Sequence, residues 1–192
     1  MLKTKPFSPE ELKKIRRHLK NRKDGKRDLA MFNTQIDTML RTSDLRNLRV
    51  SDVQDEESQE IKDDFTVRMK KTGKTVAVCL GDDAKESLRD WIIESSKSHH
   101  DYLFTGRKDP NKPITDTHHR YLVKAWCAGA GIKKEAKATH SLRKAKATAI
   151  YKETKNVEAV RMLLGHSSVT ATSAYLGIED ADALDLARKM KI

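Results

Sequence analysis

Two hydrophobic periods alternate along this chain, and its elements begin and end where one gives way to the other. Leu29, Phe32, Ile36 and Leu40 recur at three- and four-residue intervals, which predicts a helix through roughly Leu40 with one buried face. Near Phe65 the period shortens to two. Phe65, Val67 and Met69 alternate with polar residues, and beyond Lys71-Thr72-Gly73-Lys74 the residues Val76, Val78 and Leu80 alternate again, the pattern of an antiparallel hairpin whose turn Gly73 relieves. A further short strand is expected to pair from the region before Phe65. Upstream, Ser8-Pro9-Glu10-Glu11 reads as a capping box with proline at the first helical position, opening a helix to about Lys20, and Asn21 to Lys26 forms a polar connection. Ser43 is placed to cap a short helix carrying Leu45 and Leu48, which leaves Arg41 at a junction between helices. Asp52 to Glu60 reads as an acidic loop. Further helices are expected from Asp82 to about Ser96, Asp116 to about Ala128, about Ser141 to Lys152, and Val157 to Leu164. A short helix should precede Tyr175, and a last one should run from Asp180 to the end. The sum is a mostly α (α+β) chain, a compact helical domain with a small three-stranded antiparallel sheet and no internal repeat.

Composition narrows the class. A chain of 192 residues suits one domain with a real core, and 37% hydrophobic against 35% charged residues describes a soluble, highly charged globule. No apolar run approaches membrane-spanning length, and Met1-Leu-Lys-Thr-Lys-Pro6 lacks the hydrophobic segment of a secretory signal, so a cytoplasmic location is expected. Cys79 in a strand pattern and Cys127 in a helical one read as reduced packing residues. The net charge is +11, and it is segregated: residues 1–27 hold eleven basic and three acidic side chains, residues 97–152 thirteen and four, and the remaining stretches are net negative. Such segregation points to a surface that meets a polyanion through a salt-sensitive grip, whereas a merely solvated helix face is the bland alternative.

Four short stretches carry the candidate chemistry. Thr38-Met-Leu-Arg41-Thr-Ser-Asp44-Leu-Arg-Asn-Leu48 places an arginine between helices, Lys71-Thr-Gly-Lys-Thr-Val-Ala-Val78 a lysine in the hairpin, and Thr139-His140-Ser-Leu-Arg143-Lys-Ala145 a His-x-x-Arg pair. In Leu163-Leu-Gly-His166-Ser-Ser-Val-Thr-Ala-Thr-Ser-Ala-Tyr175-Leu176 a tyrosine follows a histidine by nine positions. In this order and spacing the four stretches resemble the tyrosine recombinase, or phage integrase, family. The resemblance covers nearly the whole chain. It implies the fold of that family's catalytic domain, with Arg41, Lys71, His140, Arg143, His166 and Tyr175 as the catalytic set. It further implies cleavage and rejoining of duplex DNA through a 3′-phosphotyrosyl intermediate, with no cofactor and no metal.

The residue types suit that chemistry. In-line attack on a phosphodiester builds negative charge on its non-bridging oxygens, and fixed cations must meet it. Arginine's planar fork engages two phosphate oxygens and stays protonated, so Arg41 and Arg143 would clamp one phosphate. His140 stands three residues before Arg143, and a helix would project both from one face. Tyr175 would be the nucleophile, its phenolate character favoured by the arginines. His140 is a plausible general base, with His166 hydrogen-bonding the phosphate. Lys71 would deliver a proton to the leaving 5′ oxygen, with Lys70 and Lys74 as rivals. Asp44 matches an acidic position that orients neighbouring groups, or it is an early-turn acid favoured by the helix dipole.

Each residue also has an innocent reading taken singly: Arg41 a helix-end cation, His140 a cap, His166 a turn residue, Tyr175 one more amphipathic position. Their joint order weighs against coincidence. The pairs His99-His100 and His118-His119 lack companion ligands at metal spacing and read as surface or DNA-facing. Residues 1–192 are expected to form a single catalytic domain, without the N-terminal core-binding and arm-binding domains of larger relatives. The expected partner is double-stranded DNA at a specific recombination site, with a monomer in isolation, a homotetramer on synapsed DNA, nucleoid association when DNA-bound, and no membrane. Leu184, Ala187 and Met190 would share one face of the last helix, docking in cis or on a neighbouring copy. Two other classes share parts of this pattern: a type IB topoisomerase, and a non-catalytic DNA-binding relative.

Overall fold

A computed structural model describes residues 5–106, 109–133, 139–178, 184 and 188–190. The first helix, α1 (Pro9–Lys20), forms where the capping box puts it. Ser8 Oγ accepts the Glu11 N–H at 3.2 Å while Glu11 Oε2 accepts the Ser8 N–H at 2.8 Å, satisfying two of the donors a helix start leaves open. Its buried residues Ile15 and Leu19 pack toward α2 (Lys26–Thr38).

Helix α2 runs through the middle of the molecule and departs from a one-faced pattern. Phe32, Ile36 and the following Leu40 are buried, Leu29 only partly, and Asn33, Thr34, Gln35 and Thr38 are buried as well. A central helix has no solvent side, so its polar residues need partners. Asn33 finds them in Arg16 Nε (2.8 Å), the Asp83 carbonyl (3.0 Å) and Ser87 Oγ (3.2 Å). Asp28, also buried, accepts from Trp126 Nε1 at 2.9 Å and from Arg22 and Arg27, which neutralise it and bind α2 to the helix carrying that tryptophan.

Met39 ends α2 in the left-handed region at φ 51°, and the chain turns into α3 (Thr42–Arg46). The N-cap is Arg41, in extended backbone, and no side chain caps the helix. Ser43 therefore does not serve as the expected cap; it lies inside the first turn, where its hydroxyl donates to Asp44 Oδ1 at 3.4 Å. A four-residue helix, α4 (Val50–Val53), runs into the first residues of the expected acidic loop, held by the buried Val50 and Val53 and by Asp52 Oδ2 accepting the Arg49 N–H at 2.7 Å.

Strands β1 (Asp64–Arg68) and β2 (Thr75–Cys79) pair antiparallel in the register Phe65↔Val78 and Val67↔Val76. Gly73 takes φ 67° in their turn, as the pattern required. The expected third strand does not form among the described residues; the segment before Phe65 contributes one isolated bridge, Gln54↔Ile61. The reason is local. Asp55 Oδ1 accepts the Ser58 N–H (2.9 Å) and the Glu57 N–H (3.2 Å), which curls the acidic stretch into a turn instead of extending it. Cys79 points outward from β2 and is exposed, contrary to a packing role, whereas Cys127 is buried.

Helices α5 (Asp82–Ser95), α6 (Asp116–Gly129), α7 (Thr139–Thr154), α8 (Val157–Leu164) and α9 (Val169–Leu176) follow near their expected bounds. Tyr175 lies within the last turn of α9, not after it. The helix expected from Asp180 falls largely outside the described residues. One large core joins α1, α2, the hairpin, α5 and α6 to Leu142 and Ala145 of α7. A second, small cluster gathers Met39, Ala147, Val160 and Leu164, with Tyr151, Leu163 and Tyr175 packed against it. Helix α7 thus bridges the two.

Candidate active site

The two arginines reach one place by different routes. Arg41 leaves the backbone at the N-cap of α3, between the buried Leu40 and Leu45, so the main core fixes its base. Arg143 stands in the second turn of α7, only 2% exposed, and its Nη2 donates to the Leu164 carbonyl at 2.7 Å, the last residue of α8. Burial and then the neighbouring Arg41 charge push the Arg143 pKa down to about 10. Among the described residues neither arginine forms an ion pair, and Nη1 of each is buried without a hydrogen-bond partner. Desolvated Nη1 donors on two neighbouring cations favour an anion between them.

Tyr175 completes the pocket from α9. Its ring packs on the small core, and its buried hydroxyl lies beside the Arg143 guanidinium. Burial raises the phenol pKa; Arg143 and, more weakly, Arg41 pull it the other way. An anionic phenolate is thus opposed by its surroundings and favoured by the arginines. His166 stands beside it, with ring centroids 5.3 Å apart and planes at 86°. The histidine follows Gly165, whose φ of 62° closes α8 in the left-handed region and whose Cα packs so closely that a Cβ would come 2.7 Å from Val76 Cγ2. A glycine at this corner lets the hairpin and the His166 turn touch. His166 Nδ1 lies 3.1 Å from Thr172 Oγ1. Its pKa is lowered to about 4, by desolvation first and then by Arg143 and Arg41, so the ring is neutral near pH 7.

His140, one turn before Arg143 on α7, is exposed at the mouth of a cleft of about 470 Å³ that Arg41, Ser43, Arg120 and Lys124 also line. Burial of part of its ring, then Arg143, Arg120 and Arg41, lower its pKa. Lys71 is placed differently. It is exposed on the hairpin turn, and no hydrogen bond or ion pair joins it to the other five among the described residues. What brings its turn near them is Asp44, which is buried beside Arg41 and whose Oδ1 accepts the Lys70 N–H at 2.9 Å. Asp44 stands in the first turn of α3, as the helix-dipole reading has it, and it also ties α3 to the hairpin.

The sequence model of the phage integrase family matches residues 5–181. A Bacillus subtilis protein named Probable integrase/recombinase YoeC is 31% identical over 175 residues, covering 90% of this chain and 88% of that one. The chain belongs to the phage integrase family. A tyrosine recombinase of Pseudothermotoga lettingae is 31% identical over 182 residues, 95% of this chain but 59% of its own length. Tyrosine recombinase XerH of Campylobacter jejuni is 28% identical over 190 residues, 96% of this chain and 51% of its own. Against these two relatives the chain spans little more than half their length. Among solved structures, XerA recombinase superposes with a TM-score of 0.78 at 22% identity, over 97% of this chain and 66% of that one. XerH bound to its difH substrate, in a pre-cleavage complex, gives 0.76 at 20% identity over 98% and 55%. At these identities the likeness is one of fold.

Within this integrase-family chain the pocket includes residues that the motifs did not reveal. Lys144 is buried, with Nζ 5.6 Å from the Tyr175 ring centroid. Its spacing of four from His140 on one helix was the available signal. Arg120 and Lys124, again four apart, line the cleft from α6, Arg120 also pairing with Asp116. Thr172 behind His166 had no signal of its own. His119, read as surface-facing, is fully buried with its ring 6.1 Å from that of Trp126. Among the described residues no group of three His, Cys, Asp or Glu could hold a metal, and no helix is long and apolar enough to cross a membrane.

Proposed function

We propose that this chain is the strand-cleaving domain of a tyrosine-type site-specific DNA recombinase. The observation that carries the proposal is the gathering of Arg41, Arg143 and Tyr175 in one pocket, where the buried phenol lies beside the Arg143 guanidinium and Nη1 of each arginine is buried without a hydrogen-bond partner among the described residues. A phosphate there satisfies both arginines at once and is held by their charge beside the attacking phenol. The phenolic oxygen bonds to phosphorus, the bond to the 5′ oxygen breaks, and that oxygen takes a proton from the hairpin, for which Lys71 is placed at the exposed tip. The 3′-phosphotyrosyl bond conserves the energy of the original linkage, so attack by another 5′ hydroxyl rejoins DNA without ATP. His140 and His166, both neutral near pH 7, are the groups available to exchange protons with the phenol. The basic lining of the cleft beside Arg41 continues the phosphate-binding surface. Strand exchange between two sites requires four copies on synapsed DNA, which makes a homotetramer the working assembly and a monomer the DNA-free form.

Nicked suicide duplexes drawn from the DNA flanking its coding region test the proposal. The expected result is a covalent protein–DNA adduct with the unaltered chain and none with Tyr175→Phe. Relaxation of supercoils without site preference would transfer the chain to the type IB topoisomerases, and no adduct on any duplex would leave a DNA-binding relative without cleavage activity.

A further inference from the structure

Helix α8 ends at Leu164, and two carbonyls at this end are each taken by a guanidinium. Arg143 Nη2, arriving from α7, donates to the Leu164 carbonyl at 2.7 Å. Arg161, in the second turn of α8 itself, reaches forward past the left-handed Gly165, and its Nη1 donates to the His166 carbonyl at 2.9 Å. The His166 N–H in turn donates to the Arg161 carbonyl at 3.1 Å. Both backbone polar groups of His166 therefore end on one residue. A helix closing on glycine supplies the N–H bond by itself; the carbonyl bond needs a side chain. Arg161 is aimed at it by Glu158. Its Nε donates to Glu158 Oε2 at 2.7 Å and its Nη2 to Glu158 Oε1 at 2.5 Å, a two-point grip between planar groups that leaves Nη1 facing His166.

We infer that Glu158 and Arg161 form a clamp on the corner between α8 and α9, with Arg161 a positioning residue that fixes the backbone of His166 and the last turn of α8 on which Arg143 rests. Only its consequence for strand cleavage rests on the function proposed above. Three parts of the pocket depend on this corner. The His166 ring, its centroid 5.3 Å from that of Tyr175, hangs on the backbone that Arg161 holds. Helix α9, which carries the phenol, starts from the Ser168 cap, so the angle at which it leaves α8 is set across His166 and Ser167. Arg143 keeps the Leu164 carbonyl only while that turn stays wound. The small apolar cluster beneath α8 and α9 gives the corner little other support. Arg161 is also poorly suited to gripping DNA directly, because three of its N–H groups are committed and Glu158 offsets its charge. Lysine at this position keeps the charge but has no planar fork with which to hold a carboxylate and a carbonyl together.

The test compares the full 192-residue chain with Arg161→Lys, Arg161→Met, Glu158→Ala and the double variant Glu158→Ala/Arg161→Met. Without DNA, hydrogen exchange at the His166 amide should quicken by about 3- to 10-fold in both arginine variants, the effect of one lost hydrogen bond, while the amides of α2 keep their protection. On a suicide duplex at saturating concentration, adduct formation should slow by about 10- to 100-fold in both, with the DNA dissociation constant and its salt dependence unchanged. Glu158→Ala should lose less, and the double variant no more than Arg161→Met, because the carboxylate acts through the arginine. Arg161→Lys matching the unaltered protein in exchange and rate overturns the inference. So does an Arg161→Met that weakens DNA binding and flattens its salt dependence, the mark of an arginine on a phosphate, and so does exchange that quickens equally in α2, the mark of general loosening. If exchange at His166 changes as expected but no protein forms an adduct, the unaltered chain included, the proposed function falls while the clamp stands.

Discussion

Arg143 and Tyr175 face one another across a single pocket, yet the regions behind them differ in what holds them. Behind the arginines lies the main core: Leu40 and Leu45 flank Arg41, Leu142 precedes Arg143, and all three leucines are essentially without solvent contact. Behind the phenol lies the small cluster of Met39, Ala147, Val160 and Leu164. The helices around it, α8 and α9, are eight residues each, and they depend on side-chain caps from Asn156 and Ser168 and on left-handed glycines at Gly165 and Gly177. Their outer faces expose Met162 and Val169. Few buried apolar contacts and short helices place a segment at the low end of local stability. The groups that would stabilise charge are therefore built on the rigid part, and the group that would carry the covalent bond on the part easier to displace.

The largest expected effect removes the charge from the rigid side. Arg143→Met should slow adduct formation by about 100- to 1,000-fold, the loss typical of one preorganised donor to a developing oxyanion. Its melting temperature should hold or rise, because an uncompensated buried guanidinium is replaced by an apolar side chain. Single-turnover kinetics and a thermal melt check both halves of that statement. A melt that falls by many degrees would mean that Arg143 supports the core more than it serves an anion.

Next in size is a deletion on the other side. Leu164 is fully buried in the small cluster, and Leu164→Ala should destabilise by about 2–5 kcal/mol. Hydrogen exchange should show the loss in the amides of α8 and α9 while those of α2 keep their protection. Equal loss in α2 would show that the two cores unfold as one and would break the contrast.

Each region also carries a histidine held neutral, and acid separates them. His119, buried under Trp126, and His166, beside the arginines, both have pKa values lowered from 6.5 to about 4 by desolvation. Between those values the folded protein binds fewer protons than the unfolded chain. Stability is complete above about pH 6.5 and is lost as pH falls toward 4. His119 should account for up to about 3 kcal/mol of that loss, and His119→Leu should flatten the pH dependence of unfolding over this window. Inorganic phosphate should raise the pKa of His166 in an NMR titration and leave His119 where it is. The smallest effect concerns the contact between the hairpin and the His166 turn. Gly165→Ala, with φ 62° and Val76 in the way, should cost about 1–2 kcal/mol in denaturant unfolding.

Much of this molecule was legible in one dimension. The capping box at Ser8, the two-residue alternation around Gly73 and the pattern of Val157 to Leu164 act within a turn or two of chain, and those elements are where the sequence put them. The mismatches arise where distant packing overrode local pattern or where a side chain chose a local turn. Ser43 gave up its capping position to Arg41, Asp55 curled a would-be strand, Cys79 faced outward and His119 went under a tryptophan.

The sequence by itself determined the chemical groups on hand and most helix and strand bounds, because propensity, capping and periodicity are short-range. It also determined a strongly positive charge, which needs no coordinates to draw a polyanion. Only the tertiary structure decided that Arg41 and Arg143, far apart in the chain, share a desolvated pocket with Tyr175, that Asp44 holds the hairpin of Lys71 to the same helix, and that Thr172 backs His166. Proximity across the chain follows from which apolar faces bury one another, and the direction of a proton or an unpaired guanidinium follows from the few atoms that burial leaves within reach.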